Sequence, residues 1–227
     1  ATPRPEFGAT SYSVRIHLAA PTNVLYYQFT INGTQILDPF ALETTADLRY
    51  SGAVAVLPKC VVRPIERRVI RRPNLAMSDT VIQEVNLYAY TESGYLGLIE
   101  RLDYLKTLCT TVEAMPLSQG DPFDCDTINP ITQKPNREAW FYNSMLYCAP
   151  SANLASSRCN ALSETMALVD ALHVRDLEFV VDFVFNHTRE GGLGGPVLHF
   201  KALGLNRYYI VEDGYLTDRH TGCSNEL

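Results

Sequence analysis

The sequence is short of several features that would have placed it quickly. No apolar run reaches the roughly 18 residues that a membrane-spanning helix needs. There is no C-x-x-C pair and no histidine spacing of the zinc type, so the six cysteines (Cys60, Cys109, Cys125, Cys148, Cys159 and Cys223) offer no metal centre. Positive charge is also in deficit. A net charge of −6 and a pI near 5.4 argue against a nucleic-acid partner, which would need a basic surface. The first residues, Ala1-Thr2-Pro3-Arg4-Pro5, hold neither an initiator Met nor an apolar signal region, and a mature or excised chain is expected. No cofactor is expected. Cys109 and Cys148 lie in apolar stretches, where free cysteine behaves as a small hydrophobe, so reduced thiols are favoured over disulfides. That favours a reducing compartment or an organelle interior (plastid or mitochondrion), with the cytoplasm as the other choice.

What is present is a globular composition. The 227 residues are 46% hydrophobic, enough for one large domain or for a small one beside a medium one. The most informative stretch reads L-E-F-V-V-D-F-V-F-N-H-T-R-E-G-G from Leu177. Its β-branched and aromatic run over 177–185 predicts a strand buried on both faces of a parallel sheet. Asp182 sits inside the run. Asn186, His187 and Thr188 close it and open onto a loop with Gly191, Gly192, Gly194 and Gly195. Polar groups at the carboxyl end of a buried strand mark the usual ligand position of α/β folds.

Upstream, residues 10–31 alternate apolar and polar side chains around a Pro21-Thr22-Asn23 break and predict two strands. Asn32-Gly33 predicts a hairpin turn. A short strand is expected over 51–57. Arg63, Arg67, Arg68, Arg71 and Arg72 then place five arginines within ten residues, either a solvated linker or a docking strip for an acidic partner. From Asp79 the pattern becomes strand (Val81 to Leu87), helix (Tyr95 to Leu108, with Leu96, Ile99, Leu102 and Leu105 inward), strand (Thr110 to Met115), long loop (117–139), helix (Asn160 to Arg175, with Leu162, Met166, Val169 and Leu172 inward) and strand. Successive parallel units predict an α/β architecture with right-handed crossovers. The expected division is a small β unit over 1–60, a basic linker over 61–78 and an α/β domain over 79–227.

These segments carry a family resemblance. Ile36-Leu-Asp-Pro-Phe-Ala41 resembles "LLDPYA" of the isoamylase-type glycogen and starch debranching enzymes of the α-amylase superfamily, and Val81 to Glu92 resembles their "VIYEVHVRGFTE". Tyr104 to Pro116 resembles "YLxxLGVTxVELLPV", and Trp140 to Pro150 resembles "YWGYxxxxYFAP". Val181 to Thr188 resembles "DVVFNHT", the likeness continues through Glu190-Gly-Gly192, Gly195-Pro196, His199-Phe200 and Tyr208-Tyr209, and Thr221 to Leu227 resembles "TGxGNxL". The likeness runs over roughly 24–227.

The resemblance implies the first three units of a (β/α)8 TIM barrel, preceded by a small β-sandwich remnant, in a family that cleaves α-1,6 glucosidic branch points. Carried onto this chain, Asp182, Asn186 and His187 occupy the first conserved region, and Tyr142 stacks on the sugar ring. A retaining glycosidase needs two carboxylates, one as nucleophile and one as acid. In the family these lie on later strands, beyond the position matching Leu227, so no catalytic residue is expected here. The family's His, Arg and Gly on the first strand give way to Asn86, Leu87 or Tyr88, and Ala89. Its Gly before Tyr142 is Phe141, and its helix-ending glycine is Cys109. A partial barrel leaves an open edge, which more chain or other protein subunits must cover. Three readings follow: a noncatalytic accessory subunit, part of an active debranching hydrolase, or an α-glucan-binding module.

Overall fold

A computed structural model describes residues 2–3, 12–13, 15–17, 24–45, 49–51, 54–65, 71–121, 123–128, 130–131, 133, 135–137, 140–157 and 159–227. The strands β1 (Thr2–Pro3) and β2 (Tyr12–Ser13) pair antiparallel. Next come β3 (Leu25–Tyr27), β4 (Phe29–Ile31), β5 (Thr34–Ile36), β6 (Arg49–Ser51), β7 (Val54–Val56) and β8 (Cys60–Val62). The Asn32-Gly33 hairpin forms as expected between β4 and β5, with φ of 48° and 81° at its two central residues. Positive φ at both is the primed turn that matches strand twist. Other expectations for this end are corrected. β3 pairs with the distant β8, and the single strand expected over 51–57 is the second half of the β6–β7 hairpin. Of the early run, Val14, Leu18 and the 21–23 break lie outside the described residues.

The second part holds β9 (Ile82–Val85), α1 (Leu87–Tyr90), α2 (Gly94–Ile99), α3 (Leu102–Leu105) and β10 (Thr111–Ala114). It continues with β11 (Ser118–Gly120), β12 (Phe123–Ile128), β13 (Pro135–Arg137), β14 (Ser144–Pro150), α4 (Ala161–Val174), β15 (Glu178–Val181), α5 (Phe200–Tyr208), β16 (Val211–Glu212) and β17 (Tyr215–Leu216). β9, β10 and β15 form a parallel sheet in the order β15-β10-β9, with Glu113 level with Glu84 on one side and Val180 on the other. This is the expected α/β arrangement. No helix among the described residues is long and apolar enough to cross a membrane.

The first strand stops earlier than its apolar pattern suggests. Asn86 leaves the extended run and accepts the Tyr88 amide as an N-cap, so Leu87 begins α1 instead of ending β9. The expected helix over 95–108 is two short helices. Their buried stripe is Tyr95, Leu98, Leu102 and Leu105, and Leu96 points outward. Gly94 fixes this register: its φ is 52°, and a Cβ there would meet the Leu154 carbonyl at 2.0 Å. In α4 the buried positions are Ala161, Glu164, Leu168 and Leu172, offset from the expected Leu162, Met166 and Val169. A buried charge drives that offset, because the Glu164 carboxylate accepts the Ser156 amide at 3.1 Å. The end of α4 is a Schellman motif: Leu177 N–H bonds Leu172 O, Asp176 N–H bonds His173 O, and Asp176 has φ 56°.

The long loop expected over 117–139 contains β11, paired with β14, and the β12–β13 hairpin. One core cluster joins Val85, Val112 and Ala114 to the inward faces of α2, α3 and α4. A second packs Leu37, Ala41 and Cys60 against Met145, Leu146, Ala149 and Leu198, so the N-terminal β unit rests on β14. The strand expected to be buried on both faces is not. Val180 is substantially exposed because it lies on the sheet face opposite the helices, and Phe183 and Phe185, beyond the end of β15, are exposed as well.

Candidate functional site

Asp182 follows β15 directly, and its amide continues the ladder to Ala114 O at 2.9 Å. Its Oδ2 accepts a 2.8 Å hydrogen bond from the Tyr142 phenol. That bond, with burial and the charges of Asp182, Glu84 and Glu113, pushes the phenol up to about 12. The two glutamates lie side by side on β9 and β10, on the sheet face opposite the helices. Beyond Asp182 the chain turns through Phe183 and Phe185, whose rings stack at 5.3 Å.

His187 is buried, and its Nδ1 lies 3.0 Å from Asn186 Oδ1. Burial holds its pKa below the ordinary histidine value, against a hydrogen bond with the Tyr142 main chain and the charge of Asp218. Tyr142, Asp182, Asn186 and His187 therefore gather in one place: Tyr142 reaches Asp182 with its side chain and His187 with its main chain.

Residue 141 explains how Tyr142 is aimed. Phe141 has φ 58°, a left-handed conformation costing a residue other than glycine about 1–3 kcal/mol. Its ring stacks on Tyr88 at a centroid distance of 3.4 Å with the planes 6° apart, which offsets the strain. Phenylalanine here therefore holds a left-handed conformation that a glycine would adopt without strain. Cys109 behaves differently: its φ is not positive, so no left-handed turn remains there.

The loop that follows is held by residues to which the sequence reading gave no role. Thr188 and Asn225 exchange hydrogen bonds, Thr188 N–H to Asn225 Oδ1 and Asn225 Nδ2–H to Thr188 O, each 2.9 Å. Glu190 is fully buried and accepts from the amides of Leu198 (2.7 Å), His199 (3.0 Å) and Lys201 (3.1 Å) and from the Tyr209 phenol. His199 accepts the Phe200 amide at Nδ1, which places its proton on Nε2, where it donates to Met145 O at 2.6 Å. Burial keeps this ring neutral by lowering its pKa. The available signal was the motif itself, since Glu190, His199, Tyr209 and Asn225 all fall inside the resembled segments.

The arginine strip divides. Arg63 is engaged within the chain: its Nε stands 2.7 Å from Glu43 Oε2, and it also donates to the Cys159 carbonyl before α4. Arg71 and Arg72 are exposed. Arg67 and Arg68 lie outside the described residues. No group of three or more His, Cys, Asp or Glu side chains among the described residues could hold a metal ion.

No family model matches the chain. Isoamylase SU1 (chloroplastic) of Zea mays is 30% identical over 162 residues, covering 65% of this chain and 20% of that protein. The glycogen debranching enzyme of Yersinia enterocolitica is 31% identical over 196 residues, covering 78% and 29%. Among solved structures, the pullulanase from Bacillus acidopullulyticus superposes with a TM-score of 0.65 at 22% identity, over 88% of this chain and 26% of that one. A pullulanase mutant from Paenibacillus barengoltzii complexed with maltotetraose gives 0.64 at 19%. The chain spans about a fifth to three tenths of the curated relatives it matches. Over that portion it is homologous to the isoamylase-type glycogen and starch debranching enzymes of glycoside hydrolase family 13.

Proposed function

We propose that the chain is a noncatalytic, isoamylase-like structural or accessory subunit of a larger protein assembly. In this reading residues 79–227 are the first units of a (β/α)8 barrel, 1–60 a reduced β-sandwich and 61–78 the basic linker. The observation that carries it is the uncovered parallel sheet: Ile82 is 51% and Val180 43% exposed on one face, and Phe185 beyond is 63% exposed. Parallel sheets are stable when both faces are covered, so a further protein surface belongs there.

The arrangement of carboxylates supports the absence of catalysis. Glycoside cleavage needs two carboxyl groups flanking the scissile bond. Asp182, the carboxylate of the resembled first region, accepts the Tyr142 phenol, and the resemblance assigns the family's nucleophile and acid to none of residues 1–227. Tyr142, Asp182, Asn186 and His187 are then a vestigial sugar site, and the exposed Arg71 and Arg72 an additional contact. A second reading is favoured by the relatives themselves, which are debranching enzymes several times longer: the same face would be covered by further strands of an active hydrolase. Incubating the purified 227-residue chain with amylopectin separates catalysis from its absence. No release of linear chains is expected, and measurable debranching overturns the noncatalytic reading.

A further inference from the structure

Tyr88 and Phe141, both at places where the chain departs from the resembled motifs, meet in space. Tyr88 belongs to α1, just after β9, and its ring lies parallel to that of Phe141, the residue before Tyr142 (centroids 3.4 Å apart, planes 6° apart). The Tyr88 ring is held from its own side. Its amide donates to Asn86 Oδ1 at 3.0 Å, and its hydroxyl stands 2.5 Å from that of the fully buried Ser151. Phe141 is buried too, and its ring reaches Gly120 of β11, where an added Cβ would stand 3.4 Å from it and 3.2 Å from Asn143 O.

Phe141 holds φ 58°, a conformation that a residue with a Cβ leaves unless its surroundings keep it there. Rotation about that torsion re-aims the residue that follows. Tyr142 makes both bonds that gather the site, its phenol to Asp182 and its main chain to His187. The direction of Tyr142 thus depends on the backbone of residue 141, and that backbone on where the Phe141 ring can lie.

We propose that Tyr88 is a positioning residue for Tyr142: its ring, stacked on Phe141, keeps residue 141 left-handed and so aims Tyr142 at Asp182 and His187, carrying a constraint from the end of β9 to the end of β15. Its role in ligand binding rests on the reading of Tyr142, Asp182, Asn186 and His187 as an α-glucan site, which Tyr88 serves without touching the sugar.

The test uses the full chain isotopically labelled at tyrosine Cζ, whose resonance follows phenol ionisation, with Y142F to assign the Tyr142 signal. In the unmodified chain this phenol is pushed up to about 12. Y88A is expected to lower the midpoint toward the ordinary tyrosine value near 10, and Y88F, which keeps the ring and loses only the hydroxyl, to leave it in place. A glycine holds positive φ without a stack, so F141G and Y88A/F141G should both stay near the unmodified midpoint. F141A loses the ring and keeps a Cβ, and should fall as Y88A does. An unaltered midpoint in Y88A overturns the proposal, as does an equal drop in Y88A and Y88A/F141G, which would mean that Tyr88 acts through the fold at large. Should Y88A not fold, F141A and F141G decide the matter, and equal midpoints in those two overturn it. Titration of maltotetraose into the same proteins tests the sugar-site reading separately. Affinity lost in Y88A and kept in Y88F is the expected result; no binding by the unmodified chain removes the sugar-site reading, and the midpoints still decide the positioning.

Discussion

The Tyr142 phenol donates a 2.8 Å hydrogen bond to Asp182 across forty positions of sequence, tying the segment before β14 to the end of β15. It makes Asp182 an acceptor already in use, and it makes Tyr142 an unusually weak acid. Substituting Asp182→Asn removes the charged acceptor, and the Tyr142 phenol is expected to return from about 12 toward the ordinary tyrosine value near 10. Ultraviolet titration of the phenolate, with Tyr142→Phe to identify the transition, measures it. An unchanged titration would mean the bond is not formed in solution.

Glu190 organises the loop below that pair. Its buried carboxylate serves three amides and one phenol, and in Glu190→Gln the amide NH2 must face donors. A loss of about 3 kcal/mol in unfolding free energy is expected, read from urea denaturation. A loss under about 0.5 kcal/mol, the level of an ordinary surface change, would show that the cluster is not formed as described.

The Thr188–Asn225 exchange joins the start of the same loop to the tail of the chain. Asn225→Ala leaves one buried main-chain donor and one acceptor without partners, at about 2 kcal/mol. Amide hydrogen exchange at Thr188 should accelerate strongly while the protected amides of β10 keep their rates. Uniform acceleration would indicate global destabilisation instead.

Stability should fall as pH drops below about 6.5, the unperturbed histidine value. His199 and His187 are held neutral by burial, so the unfolded chain takes up protons first, and the stability these rings confer at neutral pH is lost as pH falls toward their lowered folded-state values. Glu43, raised by burial, acts with the opposite sign. Urea midpoints at pH 7 and pH 5 measure the balance, and His199→Gln should flatten the dependence. An unchanged slope in that variant would remove His199 as the source.

Most of the order of elements was legible in the sequence, because it is written in local pattern: the Asn32-Gly33 turn, the three apolar strands and the 14-residue helix α4. Which face each helix buries was less so. Glu164 is turned inward by a bond from the Ser156 amide that no hydrophobic count registers, and Gly94 sets the register of α2 through a contact with Leu154. The four resembled site residues do converge, while Glu190 was passed over because a fully buried carboxylate is recognisable only once its donors are in place. Likewise Glu84 and Glu113 became neighbours only through the parallel register.

The central claim is the proposal that residues 1–227 are a noncatalytic part of a larger assembly. The most direct measurement is incubation of the purified 227-residue chain with amylopectin, read as release of linear chains. No release is the predicted result. Measurable debranching by this polypeptide would contradict it.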